Sequence, residues 1–112
     1  MAYVLGVDSA LKALAEPRRR EILRLVWSSE LPASDIAAHF EEVTRSAISQ
    51  HLGVLREAEL LIERREGTRR LYRANRDGLA RVRTFLDEYW TGGLQRLKQA
   101  AEAATDEHDK EH

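Results

Sequence analysis

The chain has 112 residues, a mass of 12.8 kDa and a formal net charge of -1, from 18 Lys and Arg against 19 Asp and Glu. This length fits one domain and excludes a multidomain assembly. The balanced charge counts against a nucleic-acid partner, since phosphate binding is driven by excess Lys and Arg. The sum hides a partition, however: residues 44–83 hold 10 Arg and 5 acids, a net of +5, while residues 84–112 hold 3 Lys and Arg and 7 acids, a net of -4.

From Asp8, which can act as an N-cap, Leu11, Leu14 and Ala15 repeat at helical spacing and lead to Pro17. Pro17 suits the first turn of a second helix, where its missing N–H costs nothing, and Ile22, Leu25 and Val26 form that helix's apolar stripe. Pro32 restarts the chain, and Ala33 to Phe40 reads as a short third helix with Ile36, Ala37 and Phe40 on one face. After the tight connection Glu41-Glu42-Val43, Thr44 can cap a fourth helix reaching about Ala58. Two short helices joined by so brief a turn suggest helix-turn-helix.

The period then changes. Leu60 to Arg65 and Arg69 to Arg73 read as strands joined through Glu66-Gly67-Thr68, a β-hairpin whose Gly67 supplies the positive φ of such turns. Asn75 or Asp77 can cap a last helix carrying Leu79, Val82, Leu86, Trp90, Leu94 and Leu97, which Gly92-Gly93 would kink or split. The expected fold class is mainly α with a small β-hairpin, a winged helix-turn-helix in the order α-α-α-α-β-β-α. Residues 1–104 would form the domain and residues 105–112 a polar, disordered tail.

The fourth helix has two faces. On a 100° wheel Ile48, Leu52 and Leu55 share a narrow sector, while Ser46, Ser49, Gln50 and Gly53 lie opposite. Short polar side chains near a helix N-terminus are what close approach to a major groove needs. Arg45 offers two donors to guanine, Gln50 suits adenine, and Thr44, Ser46 and Ser49 serve bases or phosphates. In the hairpin, Arg64, Arg65, Arg69, Arg70 and Arg73 surround the turn, whose tip can reach phosphates or the minor groove. Two or three of the wing arginines are expected to touch DNA, because Glu63 and Glu66 are interspersed among them. His51 and Tyr72 read as packing residues, and Gly53 has no strong account beyond room for a close approach.

Several motifs resemble the ArsR/SmtB family of bacterial repressors. They are Leu14-Ala15-Glu16-Pro17-Arg18-Arg19-Arg20-Glu21-Ile22-Leu23, Ser46-Ala47-Ile48-Ser49-Gln50-His51-Leu52, Val54-Leu55-Arg56-Glu57-Ala58 and Arg65-Glu66-Gly67 with the Arg-rich strand after it. The resemblance spans roughly residues 8–100. It implies a homodimeric winged helix-turn-helix protein that binds double-stranded DNA, usually a repressor released by an inducer, and such a dimer is expected to read the two half-sites of an inverted-repeat operator. By the same resemblance, positions matching Arg45, Ser46, Ser49 and Gln50 contact DNA. Pairing through the first and last helices would fall to Leu11, Leu14, Leu86, Trp90, Leu94 and Leu97.

Two departures from the family pattern stand out. The metal-sensing members carry Cys around the third helix or His and carboxylate ligands on the last one. Here Leu31-Pro32-Ala33-Ser34-Asp35 occupies the first place, the chain has no Cys, and no His lies between Leu79 and Ala104. The expectation is therefore the branch without the metal-sensing cysteines, with no metal and no cofactor. His108 and His112 have the i,i+4 spacing of a zinc pair but sit in the polar tail. The second departure is Glu59, where the family commonly ends the recognition helix with Gly, so that a left-handed Glu59 would carry strain of order 1 kcal/mol.

Nothing resembles a catalytic constellation, so no enzyme activity is expected. The absence of Cys excludes disulfides and thiol redox sensing. No apolar run approaches the roughly 18 residues of a membrane span, and Met1-Ala2-Tyr3-Val4-Leu5-Gly6-Val7 lacks the marks of a signal peptide. The expected setting is the cytoplasm, with no membrane partner. Oligomerisation would suit so small a core. Two alternatives stay open: a protein-interaction module built on the Trp90 stripe without DNA binding, and a repressor released by an organic ligand among Trp27, Phe85, Tyr89 and Trp90.

Overall fold

The computed structural model describes the backbone of residues 2–110 and the side chains of residues 6–105. In chain order the elements are α1 (Ala2–Leu14), α2 (Pro17–Leu25), β1 (Leu31–Pro32), α3 (Ala33–Ala38), α4 (Arg45–Glu57), β2 (Leu61–Glu66), β3 (Arg69–Ala74) and α5 (Arg76–Lys110). They divide into two compact units, residues 1–82 and residues 83–112.

In the first unit every element but the two-residue β1 supplies buried core residues, and Leu31 of β1 packs partly buried against them. Ala10 and Ala13 of α1, Ile22, Leu23 and Val26 around α2, Ile36 of α3, and Ile48, Leu52 and Leu55 of α4 close on Leu60, Leu61, Tyr72, Ala74 and Val82. Burying a large aliphatic side chain stabilises by roughly 1.5–3 kcal/mol, so the α4 stripe alone is a substantial share of the fold. Tyr72 lies in this core, as a packing residue should.

The sheet is antiparallel, in the order β1-β3-β2. β2 and β3 form the expected hairpin, with Glu66 opposite Arg69 and Gly67 at φ 63° in the turn. Three strands are present rather than two, since Leu31 pairs with Tyr72 and Pro32 with Leu71. Pro32 is tolerated there because β1 is an edge strand and its missing N–H leaves no ladder bond unmade.

Three boundaries differ from the sequence reading. α1 begins at Ala2, so Asp8 is an interior residue and not its cap. α5 is one helix through Gly92-Gly93, neither split nor interrupted, and it continues past Thr105 to Lys110. Glycine costs a helix about 1 kcal/mol, which the long run of helix-forming residues around the pair outweighs.

The turn between α4 and β2 is tightly specified. Glu59 adopts φ 62°, Glu59 N–H donates to Arg56 O at 3.0 Å and Leu60 N–H to Leu55 O at 2.9 Å. This is the paired closure of a Schellman cap, with the buried Leu55 and Leu60 as its apolar residues. α5 starts directly against it. Asn75 Nδ2 donates to Glu59 O at 2.8 Å, and Asn75 Oδ1 accepts from Gly78 N–H at 3.4 Å. A Cβ at Gly78 would stand 1.9 Å from Glu59 O, so only glycine lets the two backbones meet.

Candidate nucleic-acid interface

The sequence of α4 fixes both its start and its free face. Thr44 is the N-cap, with its Oγ1 accepting from Ala47 N–H at 3.1 Å. That bond satisfies one of the donors a helix start leaves open and holds the next residues in position. Arg45, Ser46, Ser49 and Gln50 are all exposed, on the side away from the buried Ile48, Leu52 and Leu55. Among the described residues the Arg45 side chain has no hydrogen bond or ion pair, so its guanidinium is free to meet a ligand. A cleft of about 150 Å³ between α3 and α4 brings Ser34 beside Arg45 and Ser49, a neighbour that helical spacing within α4 could not reveal.

The wing arginines divide into two classes. Arg64 is tied back: its Nε and Nη2 donate to Glu30 at 3.1 and 2.6 Å, and Nη2 also reaches Glu66 at 3.3 Å. This two-point clamp joins the loop before β1 to the wing across 34 residues of sequence. Its hydrogen bonds hold the Glu30 carboxyl below the usual carboxylate range, against an opposing effect of desolvation. Arg70 is 3.5 Å from Glu63, which also accepts from Arg56 at the end of α4. Glu63 thereby links the recognition helix to the wing. Arg65 and Arg69 lie exposed beside the turn, with no side-chain partner among the described residues.

His51 is on the edge of the packing stripe, mostly buried, with its ring bonded to Arg19. Gly53 has open space where a Cβ would stand, so nothing in the protomer requires glycine there.

Of the residues assigned to dimer pairing, Leu11 and Leu14 pack partly buried against the core of the first unit. Leu86, Trp90, Leu94 and Leu97 are exposed on α5, at 48, 67, 44 and 67%. Phe85 and Tyr89 stack with ring centroids 6.5 Å apart, and Trp27 lies under the Arg76 guanidinium at 5.3 Å. No group of three or more His, Cys, Asp or Glu among the described residues could hold a metal ion. The His108 side chain and all of His112 lie outside them.

Sequence reasoning missed Glu30, Gly78 and the second role of Asn75. No local signal marks Glu30, whose partner is far along the chain, and nothing local to the cap at Asn75 signals its further bond to Glu59 O. Gly78, the third residue of a helix, is the one detectable oddity, since glycine there needs a reason beyond propensity.

Comparison with known proteins agrees with this geometry. The profile of the bacterial regulatory protein, arsR family, matches residues 16–63, from the cap of α2 into β2. The HTH-type transcriptional regulator Rv2034 of Mycobacterium tuberculosis is 39% identical over 107 residues, covering 96% of this chain and 99% of that protein. The transcriptional repressor SdpR of Bacillus subtilis is 38% identical over 61 residues, 54% of this chain and 67% of its own. Among solved structures, an ArsR-like transcriptional regulator from Rhodococcus sp. RHA1 superposes with a TM-score of 0.79 at 26% identity, covering 93% of this chain and 97% of that one. The relatives are regulators of transcription and not enzymes. The chain belongs to the arsR family of bacterial regulatory proteins and is a DNA-binding transcriptional regulator.

Proposed function

We propose that the protein acts in the cytoplasm as a homodimeric repressor that reads an inverted-repeat operator. Each protomer would set the N-terminal turns of α4 in a major groove. Thr44, Ser46 and Ser49 lie against the backbone or base edges, Arg45 and Gln50 make base contacts, and the wing meets the flanking phosphates. The observation that carries this reading is the free state of Arg45, Arg65 and Arg69, three guanidinium groups on α4 and the wing without a side-chain partner among the described residues. Arg64 and Arg70 belong to the same interface, but each must leave or share a carboxylate to reach a phosphate.

The dimer rests on the open stripe of α5. Four large apolar side chains at intervals of one helical turn are costly to leave in water, and a second copy of the same stripe is the simplest cover, joined by α1 through Leu11 and Leu14. A dimer also converts the net +5 of residues 44–83 into two basic faces, one for each half-site. A small-molecule inducer remains part of the family-based reading. The chain's lack of Cys favours a signal other than thiolate-bound metal.

The test is stoichiometric. A duplex enriched from a random pool by the protein should be palindromic and bind two protomers cooperatively, whereas a single half-site should bind at least tenfold more weakly. Equal affinity for whole and half sites would reject the dimeric reading.

A further inference from the structure

We propose that Arg19 is a positioning residue for DNA recognition, a strut that fixes the recognition helix α4 to the end of α1. Its guanidinium reaches two helices at once. Nε donates to Ala13 O at 2.7 Å and Nη2 to Lys12 O at 3.3 Å, so two C-terminal carbonyls of α1 are satisfied. Nη1 lies 3.3 Å from His51 Nδ1, on the fourth helix and 32 residues away. An arginine has only donors, so in this contact Nδ1 is the acceptor, the tautomer with its ring hydrogen on Nε2. That Nε2 faces Glu16 Oε2 at 3.9 Å, the carboxylate that caps α2 by accepting from Arg18 and Arg19 N–H. Among the described residues the charged groups in contact with His51 are Arg19 and Glu16.

The consequence follows from where His51 stands. It is the next residue after Gln50 and two after Ser49, on the same turn as two of the groups assigned to the duplex. Base contacts demand that such groups be held to within about half an ångström. The buried apolar stripe fixes the depth of α4 and the face it turns inward. A directional bond from a side chain anchored on carbonyls of another helix adds a constraint on its fine placement beside the duplex-facing residues. Lysine, a single point charge, could not satisfy the α1 carbonyls and the imidazole in the same way. Because α1 also belongs to the proposed dimer interface, the strut gives a change at that interface a direct path to α4. This inference rests on the reading that α4 enters the groove.

The experiment compares affinities for the enriched duplex and for a random duplex of equal length across a salt series, in wild type, Arg19→Ala, His51→Leu, His51→Asn and the Arg19→Ala/His51→Leu double variant. Thermal melts confirm that each is folded, and His51→Leu leaves the α1 carbonyl bonds intact should Arg19→Ala fail to fold. Losing a hydrogen bond to a charged group should lower affinity for the enriched duplex roughly tenfold or more. Affinity for the random duplex and the salt slope should be unchanged. His51→Asn, whose amide oxygen can stand near the place of Nδ1, should recover most of the loss, and the double variant should bind no worse than Arg19→Ala.

Preference for the enriched duplex equal to wild type in His51→Leu would overturn the strut. So would a salt slope lower by about one per protomer in Arg19→Ala, which would make Arg19 a phosphate contact. Arg45→Ala run alongside separates the two readings. If it keeps full preference while His51→Leu loses it, Arg45 leaves the interface and the strut stands; the converse removes the strut and keeps Arg45.

Discussion

α4 and the far part of α5 are both amphipathic helices, yet one apolar stripe is closed and the other open. Ile48, Leu52 and Leu55 are buried within the first unit, at 2, 3 and 0% exposure, whereas Leu86, Trp90, Leu94 and Leu97 remain in water. The polar faces differ in the opposite sense. That of α4 is uncharged between Arg45 at its start and Arg56-Glu57 at its end, and leaves donors unused, while residues 84–112 carry an excess of acid. A stripe closed within the chain leaves its helix only a polar face to offer a ligand. A stripe left open offers its apolar face, and the matching partner is another protein surface.

The largest way to break this contrast is to charge the open stripe. Trp90→Glu removes two indole groups from the proposed dimer, one per protomer, at roughly 1.5–3 kcal/mol each. The dimer should weaken by two orders of magnitude or more, seen in sedimentation equilibrium as a monomer at micromolar concentration, with the melting curve of the first unit little changed. Next comes Gly78→Ala, which acts on the closed side. With Cβ driven against the Glu59 carbonyl, overpacking of about 1–3 kcal/mol is expected, at the top of that range because the obstacle is backbone, read as a lower midpoint in urea.

A smaller effect of opposite sign should follow Glu59→Gly. Glycine removes the left-handed strain of about 1 kcal/mol and gives up only an exposed pair with Arg81. Urea unfolding should shift to higher midpoint, and a fall would show that this pair matters more than the strain. The smallest effect concerns the wing. Glu30 titrates at a lower pH in the folded protein than in the unfolded chain, owing to Arg64. Its contribution is complete above the ordinary glutamate value of about 4.3 and is lost as pH falls through the lower folded value. Amide exchange in β2, corrected for intrinsic rates, should quicken at acid pH in wild type and already be quick at pH 7 in Glu30→Gln.

Much of the fold was legible because it is written in periods and caps. Thr44 marked the start of α4 and Asn75 the region where α5 begins, each by a bond to its own neighbourhood, and Gly67 marked the hairpin turn by its positive φ. Glu59 stood out against the family pattern, and its positive φ confirms that reading. β1 was hidden since two residues cannot display alternation, and Pro32 looked like a helix restart. The early start of α1 escaped because no cap marks it and Asp8 resembled one. At the site, residue types pointed to the face of α4, but which wing arginines are free depends on Glu30 and Glu63. Those partners meet only after folding, so no local pattern could distinguish Arg64 from Arg65. Arg19 was invisible for the same reason: its three acceptors lie on two other helices.

The most direct measurement is the binding of wild type and Arg45→Ala to the enriched duplex and to every single-base variant of one half-site. If α4 reads the groove, Arg45→Ala loses about 1–3 kcal/mol on the enriched duplex and becomes indifferent to the base at one position per half-site. An equal loss on every sequence, with a shallower salt dependence, would make Arg45 a phosphate anchor and contradict the account of α4 as the reading helix.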